Sequence, residues 1–209
     1  MPVERNSTRV IDLRRTYCNM VSEQPDKDIL FLDETGFNLH TSINYGYSLI
    51  GQPAFISLPA NRGRNLSLIV TISVHGLISY TIYDGPVNGE MFTSYLELDL
   101  LPRLHGNEVA IILDNAKIHH VDSVSKWAEE NEIRLEYLPP YSPQLNPVEN
   151  LFSCIKMRVN SFRPRPETTR DLRASLISIL NELVDEDFGK YFKKMRDWIK
   201  IGRKGEIYR

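Results

Sequence analysis

The sequence predicts an α/β fold, one sheet with helices on both faces, and three observations predict it. Strand patterns come first, strands and helical patterns then alternate, and helical patterns close the chain, the order expected when helices pack on a sheet. Two short apolar runs, Ile29-Leu30-Phe31-Leu32 and Val109 to Leu113, are continuous rather than alternating, which suits central strands covered on both sides. At 209 residues, 42 % hydrophobic and 25 % charged, the chain has an ordinary globular composition and the length for one sizeable core.

Each element has its own signal. Residues 7–22 set Val10, Leu13, Tyr17 and Met20 or Val21 three and four apart, which predicts a helix. Ile29 to Leu32 is a strand ending at Asp33. Tyr45 to Ile50 and Leu66 to Val74 read as two more strands, His75-Gly76 as a turn and Leu77 to Tyr83 as a hairpin partner. Asn88 to Leu101 has helical spacing through Met91, Tyr95 and Leu98. Val109 to Leu113 is a strand ending at Asp114, Val121 to Asn131 a helix and Ile133 to Leu138 a strand. After a connector holding Pro139, Pro140 and Pro143, Asn146-Pro147 opens a helix, because Asn caps well and Pro is tolerated at the first helical position. Val148, Leu151, Phe152, Ile155 and Val159 form its apolar stripe. Helices over 167–184 and 187–200 follow, with Gly202 as a stop. Phe188, Tyr191, Phe192, Met195 and Trp198 read as core packing rather than a base-stacking platform. The chain divides into a helical lead-in (1–27), an α/β core (28–165) and a helical extension of the same domain (166–209).

The net charge of −2 conceals an asymmetry: residues 1–149 hold 11 Lys and Arg against 19 Asp and Glu, and residues 150–209 hold 14 against 8. A basic end on an acidic body fits an anionic partner, and equally fits solvated helices. Cys18 and Cys154 match no metal or disulfide spacing. The start, Met1 to Ile11, is charged and lacks the apolar stretch of a secretory signal, and no run approaches 18 apolar residues. An intracellular, non-secreted protein without a membrane span is expected.

Two buried strands each end in an aspartate, and active sites of open α/β sheets gather beyond the carboxyl ends of strands. A third acid, Glu149, stands at the start of the helix after the proline connector. Carboxylates on separate rigid elements are what Mg²⁺ sites use. From pattern alone the alternatives stay open. Asp33 and Asp114 are also good turn residues, and Glu149, three residues after Asn146, is placed for a capping box.

The surrounding letters add more. Phe31-Leu32-Asp33-Glu34-Thr35-Gly36-Phe37 resembles the first motif of mariner-superfamily (DDE-type) transposases, Asp114-Asn115-Ala116-Lys117-Ile118-His119-His120 the second, and Leu138-Pro139-Pro140-Tyr141-Ser142-Pro143-Gln144-Leu145-Asn146-Pro147-Val148-Glu149-Asn150 the third. The 34 residues between Asp114 and Glu149 match a spacing typical of one large branch, and the resemblance spans about residues 28–160. It implies an RNase H-like fold with a central mixed five-stranded sheet flanked by helices. It implies metal-dependent DNA cleavage and strand transfer, with Asp33, Asp114 and Glu149 as the catalytic and metal-binding triad. Mg²⁺ or Mn²⁺ is the implied cofactor, as two ions, with Asp33 bridging both and Asp114 and Glu149 each completing one site. The partners would be transposon ends and target DNA, with a homodimer left open. The compartment would be the nucleus in a eukaryote and the cytoplasm in a bacterium.

Around the triad, Asn115 and Asn150 flank acids that they could hold by hydrogen bonds, or they serve only turn and helix-start geometry. His119 and His120 either touch DNA, order an acid, or are ordinary loop histidines. Arg62, Arg64 and Lys117 are candidate phosphate contacts, the first two in a Gly-containing loop between two expected strands. Ser153, Lys156 and Asn160 share a helix face with Glu149, which favours Lys156 as a DNA contact. Transposases of this superfamily usually carry a helix-turn-helix reader ahead of the catalytic domain. About 28 residues precede the first strand here, too few for one, so a chain lacking that module is expected. The alternative reading is a domesticated or decaying remnant that binds DNA or protein without cutting.

Overall fold

A computed structural model describes residues 3–40, 47–53, 55, 63–104 and 109–208. Five strands form one mixed sheet in the order β3-β2-β1-β4-β5, namely β1 (Ile29–Phe37), β2 (Leu66–Ser73), β3 (Gly76–Asp84), β4 (Ala110–Leu113) and β5 (Arg134–Tyr137). The central strand β1 pairs antiparallel with β2, from Phe31↔Ile72 to Phe37↔Leu66, and parallel with β4, from Ile29↔Ala110 to Phe31↔Ile112. The expected mixed five-stranded sheet is therefore present.

The helices are α1 (Thr8–Ser22), α2 (Gly89–Tyr95), α3 (Leu101–Leu104), α4 (Asp122–Glu130), α5 (Val148–Ser161), α6 (Thr169–Leu183) and α7 (Gly189–Arg203). They cover both faces, because successive strand residues point to opposite sides. On one face Ile29, Phe31, Leu68, Val70 and Ile112 meet residues of α1, α5, α6 and α7. On the other, Leu30, Leu32, Ile69, Ile111 and Leu113 meet Phe92, Tyr95, Leu100, Val124 and Trp127. Start signals act as local chemistry requires: the Asn88 side chain accepts the Met91 N–H ahead of α2, and Thr168 and Asp171 form a reciprocal capping box at α6. Phe188, Phe192 and Met195 are buried, with Tyr191 and Trp198 packed against them, so the α7 aromatics are core.

Four expectations need correction. β1 does not end at Asp33 but runs four residues on, because β2 continues to pair with it to Phe37 after β4 has stopped at Phe31. Of the strand expected over Tyr45 to Ile50, Tyr45 and Gly46 lie outside the described residues. Tyr47 to Ile50 are exposed and pair with no strand among the described residues. The Glu149 helix begins at Val148, with Pro147 in the cap position. Gly202 does not stop α7: it is buried inside the helix, where a Cβ would lie 2.5 Å from Cys18 Sγ and 2.6 Å from the Tyr208 hydroxyl. The glycine lets α7 approach α1, and Gly205, at φ +69°, follows the helix end.

Candidate active site

Asp33, Asp114 and Glu149 come from three elements and line one cleft of about 480 Å³, together with Glu34, Asn115, Asn146, Lys156 and the connector Leu138 to Pro143. Strand register explains the first pair. Continuing the β1–β4 pairing two residues past Phe31↔Ile112 sets Asp33 beside Asp114. Asp33 shares the face of Phe31, toward α5, and Glu34 takes the opposite face, toward Phe92 and His119.

Asp33 is 7 % exposed, and both of its oxygens are held: Oδ1 accepts the Glu34 N–H (2.7 Å) and Oδ2 accepts Asn146 Nδ2 (2.7 Å). Its pKa is pushed up to about 8, first by burial and then by Glu34 and Asp114, with a smaller contribution from Glu149. The buried end of the cleft thus concentrates acidic groups.

Asp114 is half-exposed and behaves oppositely. Its Oδ1 lies 2.9 Å from His119 Nδ1 and accepts the Ala116 N–H at 2.9 Å. The hydrogen bond from His119 holds its carboxyl below the usual range, against a partial desolvation that raises it. His119 is fully buried, and its Nε2 lies 3.0 Å from Glu34 Oε2. Burial alone would pull the imidazole down, but its bonds to Asp114 and Glu34 outweigh that and push its pKa up to about 10. His119 therefore links two acids of the cleft and is no ordinary loop histidine.

Glu149 stands exposed in the first turn of α5, and its side chain makes no hydrogen bond among the described residues. The capping-box alternative therefore fails: the Val148 N–H is taken by Asn146 Oδ1 at 3.1 Å. Glu149 is left free to face a ligand. Lys156, two turns along, also lines the cleft, with its ammonium 5.9 Å from the Phe37 ring centre.

Other candidates fall elsewhere. Asn115 donates to the Leu138 carbonyl (2.6 Å) and pairs with His120 Nε2 (3.3 Å), so it ties the ends of β4 and β5 together rather than holding the Asp114 carboxylate. His120 stacks on Tyr137, with ring centres 4.3 Å apart. Asn150 accepts from Lys194 Nζ (2.8 Å) on α7 and does not line the cleft. Asn160 is buried and bonded by Arg165, so it is not on an open polar face with Glu149. Arg64 and Lys117 are exposed and outside the cleft lining; Arg62 lies outside the described residues. Glu34 and Asn146 are site residues that the sequence reading missed. In the sequence Glu34 is marked only by its place next to Asp33, and Asn146 only by its fitness as a helix cap.

Among the described residues, no group of three or more His, Cys, Asp or Glu side chains is placed to hold a metal ion by itself. Mg²⁺ does not require one: it is held by one or two carboxylates, with water and substrate phosphate completing the shell. The donor set suits such an ion. It is all hard oxygen, one acid is buried among like charges, and one is free at the rim. The residues fit a hard divalent cation.

Comparison with known proteins agrees with the three motifs. A curated relative, the insertion element IS630 uncharacterized 39 kDa protein of Shigella sonnei, is 29 % identical over 133 residues. That alignment covers 61 % of this chain and 37 % of the relative, so the chain spans well under half of its length. Among solved structures, the Mos1 transposase paired-end complex with left transposon end superposes with a TM-score of 0.79 at 20 % identity, over 97 % of this chain and 64 % of that one. The catalytic domain of Mos1 mariner transposase gives 0.74 at 17 % identity over 97 % of both. Mos1 paired-end complexes with Mn and with Mg match similarly, at 0.80. These likenesses establish the expected RNase H-like fold. Residues 28–173, most of the chain and all three motifs, match the family described as DDE superfamily endonuclease, and the chain belongs to that family.

Proposed function

We propose that this chain is the catalytic domain of a cut-and-paste transposase, a divalent-metal-dependent DNA endonuclease and strand transferase. Asp33, Asp114 and Glu149 are its catalytic, metal-holding acids. One observation carries the reading: three acids from β1, the end of β4 and the start of α5 line one cleft, and the most buried of them has its pKa pushed up to about 8 by burial and by its acidic neighbours. A cation would relieve that electrostatic cost. The family and the Mos1 complexes with transposon end, Mn and Mg support the same reading.

Two Mg²⁺ or Mn²⁺ ions, when bound, would activate the attacking oxygen and stabilise the leaving oxygen at a phosphodiester. The chain's own residues set the stage for this. The Glu34 N–H and Asn146 fix the Asp33 carboxylate at both oxygens, each keeping a further lone pair for a cation. His119 and the Ala116 N–H occupy Asp114 Oδ1, and Oδ2 has no hydrogen bond among the described residues. Glu149 approaches from the rim. Lys156 supplies a positive charge where a DNA phosphate beside the acids would lie, and residues 150–209, with a balance of +6, favour a polyanion. The substrate is duplex DNA: a strand is cut at a transposon end, and the freed 3′-hydroxyl attacks target DNA. Three acids retained in one cleft speak for this reading over a remnant that binds without cutting.

Metal-dependent stabilisation tests the proposal. Millimolar Mn²⁺ should raise the melting temperature, and Asp33→Asn should remove most of the shift; an unshifted parent protein refutes the site.

A further inference from the structure

Among the described residues, a buried side-chain hydrogen bond joins β1 to the segment that leads into α5. Asn146 is 2 % exposed, and both ends of its amide are used. Nδ2 donates to Asp33 Oδ2 at 2.7 Å, and Oδ1 accepts the Val148 N–H at 3.1 Å. Pro147, which has no N–H, stands between them in the cap position, so Val148 offers the first donor after Asn146. Glu149 follows immediately, its own N–H 3.3 Å from the Asn146 carbonyl.

We infer that Asn146 is a positioning residue that sets the Asp33 carboxylate against the helix bearing Glu149, an inference that rests on the metal-site reading above. The chemistry is selective. A donor must face the carboxylate and an acceptor must face the backbone N–H, at opposite ends of one short, planar group. Asp would aim an acceptor at Asp33. Ser and Thr could cap Val148 but are too short to reach Asp33 as well. Leu145 and Val148, both fully buried in the core, hold the residue from either side, so the amide has little freedom to re-aim. Core packing sets β1 against α5, and the buried amide fixes the Asp33 carboxylate within that frame; its loss would leave Asp33 held by the Glu34 N–H alone.

The decisive variant is Asn146→Ser, which keeps a helix-capping hydroxyl and deletes the bond to Asp33; Asn146→Thr serves if it does not fold. Mn²⁺ affinity is read from the ion's electron-paramagnetic signal, together with kcat and KM for nicking. The expected result is a metal-free melting temperature close to the parent's and Mn²⁺ affinity lowered about 10- to 100-fold, the range typical of groups that orient a ligand. kcat falls, and KM for DNA changes less than threefold. Mn²⁺ affinity within twofold of the parent's, in either folded variant, overturns the inference and leaves the triad standing. A parent protein that binds no Mn²⁺ overturns both.

Discussion

Nδ1 of His119 lies 2.9 Å from Oδ1 of Asp114, across the 3-10 turn Lys117–His120. The second ring nitrogen reaches Glu34, and the ring packs against Phe92 at 4.5 Å. With both nitrogens facing carboxylates and a pKa near 10, the imidazole is cationic at neutral pH. Its folded pKa lies above the ordinary value of 6.5, so the stability it contributes is full below about pH 6.5 and is lost as pH rises through about 10. His119→Gln should cost about 2 kcal/mol at pH 6, a value set toward the low end because Asp114 is half-exposed. Urea unfolding of parent and variant at pH 6 and pH 10 checks this: the gap should shrink at the higher pH.

Asp33 titrates in the opposite sense from an ordinary ion-paired aspartate. Its folded pKa, about 8, lies above the usual 3.8, so the folded state holds a proton that the unfolded state has released. Metal-free stability should therefore fall as pH climbs from about 4 to about 8. Asp33→Asn should flatten that slope. Mn²⁺ competes with the same proton, so its apparent affinity should rise with pH up to about 8. Melting curves in EDTA and in Mn²⁺ from pH 5 to 9 measure both effects.

Gly202→Ala should destabilise the fold by about 1–3 kcal/mol, because the added methyl meets Cys18 and Tyr208 in a filled interior. None of the three acids is among the atoms that the methyl meets, so Mn²⁺ affinity of the folded variant should be unchanged. Chemical denaturation with a parallel Mn²⁺ titration separates the two.

How much of this could be read in the sequence follows from how local each signal is. The apolar runs before Asp33 and Asp114, the Leu66 to Tyr83 hairpin and the α5 stripe depend on neighbouring letters, and all were legible. So was the grouping of Asp33, Asp114 and Glu149, through three ordered motifs. Gly202 was misread because the residues that demand a glycine, Cys18 and Tyr208, are 184 and 6 positions away. The continuation of β1 past Asp33 is decided by the partner strand β2, not by β1. Asn150 is next to Glu149 in sequence and Asn146 is three residues away, so spacing alone favours the wrong one. Only the fold aims Asn146 at Asp33 and Asn150 at Lys194.

Lys156→Ala should weaken DNA binding by a similar factor on unrelated sequences. It should also flatten the dependence of log affinity on log salt by about one unit, as expected for one lost phosphate contact. Fluorescence anisotropy at several salt concentrations, on a transposon-end duplex and a random one, reads both quantities. A loss confined to one duplex would instead assign Lys156 a sequence-reading role.

The most direct measurement is nicking of supercoiled plasmid in Mn²⁺ by the parent protein, Asp114→Ala and Glu149→Gln, each first shown to be folded by its melting curve. Glu149 is exposed and unbonded among the described residues, so Glu149→Gln should melt within a few degrees of the parent. Nicking by the parent that EDTA abolishes is expected, with no detectable nicking by either variant. Substantial cleavage by folded Asp114→Ala or Glu149→Gln would contradict the triad assignment.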